Sequence, residues 1–488
     1  MNAAHRLMTI IARYRMEPVG LDRGMTTAAV AHTMFSTDKT EADRQWAVLT
    51  IVLATYLLIL LDTSIVITGL PDIAKDFGFS PSSLSWVQNA YTLFFGGFLM
   101  VGARAGDLFG RKRVYLTGVA IFTLASLAIG LAQSGTMLVV ARAIQGVGAA
   151  ILAPATMALL TIHFPEGEPR TKALSAYAAT AGIGASLGLV LGGFFAGALS
   201  WRVGFLVNVP VGIILWWAGR SLLVETPRTK GAPDMLSAGL STLGMGSLVY
   251  GIVSSATGWA QIEAWGACVL GIALLAAFFL RQAGAKAPLL PLSLFASSSR
   301  TASYVARMMF IGAMVGFFFY ATQLMQVVMG MTPFQAGLGF LPMTAMTFVA
   351  SLLIPRGTRL IGTGGVLALA FLCAALGLFW LGQQPAHSTY LWNVGLPMLL
   401  LGIGNGAALG PLTVAGMSGV AKADAGAASG VVNTAHQLGG TLGLASLVAL
   451  AATFSDSLAD HIVLGFNAAA ILQLAGLALT LLFVARPR

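Results

Sequence analysis

A chain of 488 residues that is 57% hydrophobic and only 9% charged, with a net charge of +10, is outside the range of soluble domains, which carry about a quarter charged residues. Its mean hydropathy of +0.84 points instead to a polytopic, all-α membrane protein with nearly all of its length in the bilayer. The basic balance therefore reports topology rather than nucleic acid. The 58 glycines suit helices that must approach closely where lipid offers little hydrophobic drive.

The first 45 residues mix charges, with Arg6, Arg13, Arg15 and Arg23, and hold no long apolar run. No apolar h-region follows these cations, so a cleaved signal peptide is not expected, and 1–45 read as a cytoplasmic tail. A crossing takes about 20 apolar residues, and on that scale the chain divides into fourteen predicted helices. Six run over 46–69, 84–104, 113–133, 136–163, 172–198 and 202–224. Two follow at 234–256 and 262–282, and the last six at 301–329, 334–355, 361–382, 389–415, 425–451 and 462–484. This predicts a six-helix bundle over 46–224, a two-helix insert with linkers over 225–300, a second bundle over 301–484 and a short tail, 485–488.

Alternate connectors obey the positive-inside rule. The predicted inner ones carry Arg111, Lys112 and Arg113; Arg170 and Lys172; Arg228 and Lys230; Arg281, Lys286 and Arg300; Arg356 and Arg359; Lys422; and Arg486 and Arg488. The outer ones offer only Lys75 and Arg202, against Asp72, Asp76, Glu263, Asp456 and Asp460. Both termini are thus expected in the cytoplasm and the protein in the inner (plasma) membrane. Trp86, Trp201, Trp259, Trp265, Trp380 and Trp392 fall near predicted outer helix ends, as an aromatic belt would.

Five stretches carry specific patterns: LDTSIVITGLPDI at 61–73, GARAGDLFGRKR at 102–113, LVVARAIQGVGAA at 138–150, GASLGLVLGG at 184–193 and WRVGFLVNVP at 201–210. Together they resemble the fourteen-helix drug:proton antiporter branch of the major facilitator superfamily, and the resemblance spans most of the chain. It implies two pseudo-symmetric six-helix bundles plus two central helices, and proton-coupled efflux of small molecules. It also implies a conformational latch (motif A) at Arg104, Asp107, Gly110, Arg111 and Lys112, and the antiporter motif C at Gly184, Gly188, Gly192 and Gly193. Two departures stand out. Leu189 occupies the usual proline position of motif C, and motif A has Ala103 for its first glycine and Leu108 where a cation usually follows the Asp. PRGTRLIG at 355–362 weakly echoes the 104–113 loop, each after the second helix of its group.

Ionisable groups inside a membrane are costly and face a cavity or a partner. Asp62 and Arg142 are the clear cases, at about 12 Å and about 9 Å from the outer ends of their helices, and the resemblance makes those helices neighbours. A fixed ion pair locking two helices is one reading; a proton switch is the other. Burial opposes the carboxylate's charge and Arg142 favours it. A two-unit swing in proton affinity needs about 2.7 kcal/mol, and a pair at 4 Å with an effective dielectric near 20 supplies about 4 kcal/mol. Separating the pair is therefore enough to load or unload a proton.

His436 is expected about 16 Å into its helix, where the relatives usually have Arg. Arg307 is expected near the cytoplasmic end of the ninth helix, able to snorkel. Gln88, Asn89, Tyr91, Tyr320, Gln323, Gln326 and Asn405 are candidate cavity residues, although polar groups also serve as interhelical glue. With one core carboxylate, neutral or monocationic lipophiles fit best as substrates, and zwitterions are also open.

Cys268 and Cys373 lie in separate apolar runs, which favours small packing residues over a disulfide or metal site. No phosphate-binding loop and no H-E-x-x-H or G-x-S-x-G sequence is present, and the six histidines are scattered. Neither an ATP-driven pump nor an enzyme is expected, and no cofactor beyond the proton gradient. A monomer is the family default. The alternative within transport is a proton symporter or facilitator importing a small solute.

Overall fold

The computed structural model describes residues 27–488 except 166, 227, 229–233, 256–260, 286–287, 289, 384–388, 422–423, 455–456 and 486–488. Lys230, Trp259, Lys286, Lys422, Asp456, Arg486 and Arg488 of the topology argument lie outside these, as do residues 1–26. The chain forms two compact units, 1–48 and 49–488, and every candidate residue named above lies in the second.

All regular structure among the described residues is helical. The helices are α1 (Thr27–Phe77), α2 (Pro81–Phe109), α3 (Arg111–Gly130), α4 (Gly135–His163), α5 (Glu168–Ala198) and α6 (Trp201–Leu222). There follow α7 (Met235–Ser254), α8 (Ile262–Gly284), α9 (Ser298–Gln323), α10 (Pro333–Gly339), α11 (Leu341–Leu381), α12 (Leu396–Met417), α13 (Ala425–Phe454) and α14 (Leu458–Leu479). Twelve helical segments among the described residues are long and apolar enough to cross a membrane. This is a multi-pass membrane protein.

The count differs from the fourteen predicted crossings for two local reasons. Pro333–Leu381 is reckoned as one span, yet Gly362 inside it is non-helical, at φ 72° and ψ 170°. The second is α5, which runs 31 residues from Glu168 to Ala198 but is not among the twelve. Gly110, between α2 and α3, also has a positive φ, of 95°, a conformation that favours glycine. The two echoing loops therefore share a left-handed glycine as well as basic residues.

Serines set several helix starts. Ser80 and Ser134 accept hydrogen bonds from the backbone N–H groups of Ser83 and Met137, capping α2 and α4. In the first group α4 packs against α2 and α3, and α3 against α6. Thr55 and Tyr115 share a 2.7 Å hydrogen bond that ties α1 to α3, and Tyr56 stacks on Tyr177 of α5 at 3.9 Å. In the second group α11 packs on α12 and α14, and α9 on α13 and α14. The groups meet through α2 with α13 and through α5 with α10, while α7 lies against both α2 and α13.

Trp201 departs from the belt expectation. It is 4% exposed, and its indole N–H donates to Asp76 at 2.8 Å. Arg202 donates to the same carboxylate at 2.7 Å. The pair is a polar clamp between α1 and α6, not a lipid anchor.

Glycines set the closest crossings. A Cβ on Gly443 of α13 would stand 2.2 Å from the Gly312 Cα of α9, and one on Gly439 would stand 2.4 Å from the Met308 Cα. Backbone cannot yield as a side chain can. Gly443→Leu should therefore destabilise the protein by about 1–3 kcal/mol or more, read as a lowered unfolding temperature of the purified protein. An unchanged value would show that α9 and α13 do not depend on this contact.

Candidate functional site

Five helices converge on Asp62. α1 carries the carboxylate, α4 presents Arg142 and Gln145 one turn apart on the same face, α3 brings Ser126, α6 brings Asn208 and α2 brings Tyr91. Arg142 Nη1 donates to Asp62 Oδ2 at 2.7 Å and to Gln145 Oε1 at 2.6 Å. Asp62 Oδ1 accepts from Gln145 Nε2 at 2.7 Å and from Asn208 Nδ2 at 2.8 Å. Ser126 Oγ accepts from the same two amides at 2.8 and 3.4 Å. Arg142 Nε donates to the Val87 carbonyl at 3.0 Å, and the guanidinium lies 4.3 Å from the Tyr91 ring centroid and 5.6 Å from that of Phe205.

Asp62 is 0% and Arg142 1% exposed. Such a pair survives in a low-dielectric interior only when its lone pairs and protons are met, and here the carboxylate receives three donors. Its chemistry is that of one ionisable oxygen pair whose charge partner sits on a different helix. A proton added to Asp62 would replace one N–H donor and weaken its hold on Arg142.

The glycines of 184–193 form two contact lines on α5. Cβ atoms at Gly184, Gly188 and Gly192 would stand 3.1 Å from Leu57 Cδ1, 2.5 Å from Ser64 Cβ and 2.6 Å from Thr68 Oγ1, all on α1. Gly193 turns the other way, where its Cβ would stand 2.4 Å from the Pro333 carbonyl of α10. Leu189 lies at the same inter-group contact: a Cβ on Gly337 would come within 2.5 Å of its carbonyl oxygen. Even without the expected proline, this stretch brings α1, α5 and α10 into backbone-level contact.

At the opposite end, Asp107 pairs with Arg111 at 3.0 Å and with Arg104 at 3.8 Å. Glu225 caps the start of α3, accepting from the backbone N–H groups of Lys112 at 3.1 Å and Arg113 at 3.3 Å. Thr226 Oγ1 accepts from the Arg111 N–H at 3.2 Å. A carboxylate at a helix N-terminus meets otherwise unpaired donors and the positive end of the dipole. The basic loop is thus fastened to the segment that follows α6.

The candidate cavity residues do not form one site. Gln88 Oε1, Asn89 Oδ1 and Tyr91 Oη are buried without hydrogen-bond partners, whereas Tyr320 donates to the Leu447 carbonyl at 3.2 Å and Gln323 to its own helix at Phe319. Those last two act as interhelical and intrahelical ties. Gln326 crosses between the groups to the Thr68 carbonyl at 2.9 Å, and Asn405 is half-buried on α12. His436 Nδ1 lies 3.4 Å from Arg307 Nη2. Arg307 does not snorkel: it is 7% exposed, with its head held among α9, α12 and α13.

The family model described as Major Facilitator Superfamily matches residues 52–444. The chain belongs to this superfamily. It is 38% identical over 435 residues to the Cephamycin export protein CmcT of Amycolatopsis lactamdurans, covering 87% of this chain and 90% of that one. It is 36% identical over 428 residues to the Puromycin resistance protein pur8 of Streptomyces alboniger, at 86% and 84% coverage. Among solved structures, a peptide transporter of the POT type in complex with sulfate superimposes with a TM-score of 0.67 at 16% identity, over 91% of this chain and 94% of that one; this establishes the fold. The protein is a Major Facilitator Superfamily transporter, not an enzyme.

Sequence alone does not single out Gln145, Asn208, Ser126 or Glu225. Gln145 and Asn208 sit inside two of the quoted patterns, so an uncharged amide within a transporter's apolar helix was the available signal. Ser126 and Glu225 carry none, because their partners are distant in sequence.

Removing one member of the buried pair should cost more than removing both. Arg142→Gln is expected to destabilise the protein by about 3–5 kcal/mol, and Asp62→Asn in the same chain should restore much of that, read by thermal unfolding of purified single and double variants. Additive losses would mean that the two charges do not interact energetically.

Proposed function

We propose that this superfamily member exports small lipophilic compounds of low net charge in exchange for protons, by alternating access. The observation that carries the reading is the fully buried Asp62–Arg142 pair, which joins α1 and α4 and is shielded by Gln145 and Asn208. Asp62 takes up a proton from outside, Arg142 senses the lost charge, and motif A, through Asp107 and Glu225, couples the change to closure at the inner face. The printed functions of the relatives, cephamycin export and puromycin resistance, support efflux. No cofactor takes part, since the proton gradient supplies the energy.

Fourteen crossings are proposed, because Gly362 divides Pro333–Leu381 into two and the 31 residues of α5 are long enough for another. They group as bundles over 46–224 and 301–484 around the insert 225–300. Both termini lie in the cytoplasm, the membrane is the inner one, and the unit is a monomer. Solute import by proton symport is the competing reading, favoured by Leu189 in place of the motif C proline.

Everted membrane vesicles given puromycin or a cephamycin separate the two. Exporter action would accumulate drug inside as protons leave, and collapsing the pH gradient would stop it. Asp62→Asn should lower this accumulation by about tenfold or more, the factor 1.4 kcal/mol represents, while drug exchange without a gradient persists. Undiminished gradient-driven accumulation by the variant would remove Asp62 from coupling, and drug moving with the proton flow would reverse the assigned direction.

A further inference from the structure

Apart from Arg142, two buried arginines among the described residues, Arg300 and Arg307, have no counter-charge, and only Arg307 is left with poorly used donors. Arg307 is 7% exposed and lies nine residues into α9, about 14 Å along its axis. Only neutral groups hold it. Nη1 donates to Thr413 Oγ1 at 2.9 Å and to the Leu409 carbonyl at 3.4 Å, and Nη2 faces His436 Nδ1 at 3.4 Å. Nε is buried with no partner. Among the described residues no acidic side chain pairs with it.

A buried guanidinium costs several kcal/mol unless it is compensated. Among the described residues the other buried guanidiniums are better satisfied: Arg142 has Asp62, and Arg300 donates to the carbonyls of Leu294, Ser418 and Ser293. In Arg307 the poorly used atoms are Nε and Nη2, which form one edge of the planar fork. That edge matches the two oxygens of a carboxylate. With Nδ1 turned to the guanidinium, a neutral His436 carries its proton on Nε2 and remains a donor.

The place suits a substrate. Thr413, which holds Nη1, is exposed, and His436 is half-buried, so the guanidinium lies one side chain beneath a surface. The seam between the two helix groups is adjacent: a Cβ on Gly96 of α2 would stand 2.8 Å from the Cβ of Gln437, the residue after His436. Thr92 and Thr441 hydrogen-bond across the same seam at 2.7 Å. Asp62, the carboxylate on which a monocationic substrate would depend, is already engaged by three donors.

We infer that Arg307 receives a carboxylate on the transported compound, so that the substrates are lipophiles bearing one acidic group, as free acids or zwitterions. This rests on the efflux reading and narrows its substrate class. The competing role is structural, a cation that only ties α9 to α12 and α13.

The test is binding, which does not depend on coupling. Purified full-length protein in nanodiscs is titrated with 1-pyrenebutanoate and with its neutral methyl ester, against empty nanodiscs. Wild type should bind the acid more tightly than the ester. Arg307→Gln should weaken acid binding by about ten- to a hundredfold, the worth of a hydrogen-bonded charge, and leave the ester unchanged. Arg307→Lys, which keeps the charge without the fork, should recover part of the loss. Equal affinity of wild type for acid and ester, or equal loss of both in Arg307→Gln with a lowered unfolding temperature, would overturn the inference. Acid-selective binding in a protein that shows no proton-driven flux would leave the site standing and count against the efflux reading instead.

Discussion

A carboxylate and a guanidinium almost wholly buried among apolar helices fix the architecture of the first helix group. The Asp62–Arg142 pair is affordable there only because Gln145, Asn208 and the Val87 carbonyl take up the remaining hydrogen-bonding capacity. That requirement brings α1, α2, α4 and α6 to one point, with Ser126 of α3 beneath. Changing the charge of one oxygen atom therefore alters the fit of several helices at once. This gives the proposed exchange of protons for drug a physical lever, since a membrane helix pair held by a desolvated ion pair has few intermediate arrangements.

Arg142 and Arg307, one buried arginine in each group of helices, differ in how they are satisfied. Arg142 has a carboxylate partner within its own protein, whereas Arg307 is held by a threonine, a carbonyl and a histidine. The proposed exchange of an acidic compound for a proton requires that the two charges do not neutralise each other. The carboxylate-linked cation is on α4 and the one without a counter-charge on α9.

Much of this was legible in the sequence. Hydropathy located most helices to within a few residues, α1 excepted, which runs Thr27–Phe77 against an expected 46–69, and the patterns around Asp62, Arg142 and Gly184–Gly193 fell on residues that meet in space. What escaped was whatever depended on rotation about a helix axis. Tyr320 and Gln323 looked like cavity residues and are ties, because their side chains point at Leu447 and back along α9. Arg307 looked able to reach the interface, but its face of α9 is turned toward α12 and α13. Trp201 sat at a helix end like a lipid anchor and instead donates inward to Asp76. Linear spacing gives depth in the membrane; which way a side chain faces is set by partners far along the chain.

The contact between α5 and α10 has one further consequence. Its backbone-level part is made by Gly193, Gly337 and the carbonyls of Pro333 and Leu189, with Phe194 and Phe334 packed edge-on beside it. Mutation at either glycine can only add bulk, so change at those two positions acts on the junction in a single direction, toward wider spacing of α5 and α10. Any closer approach of the two helices would have to come from the side chains around the glycines, such as the Phe194–Phe334 contact.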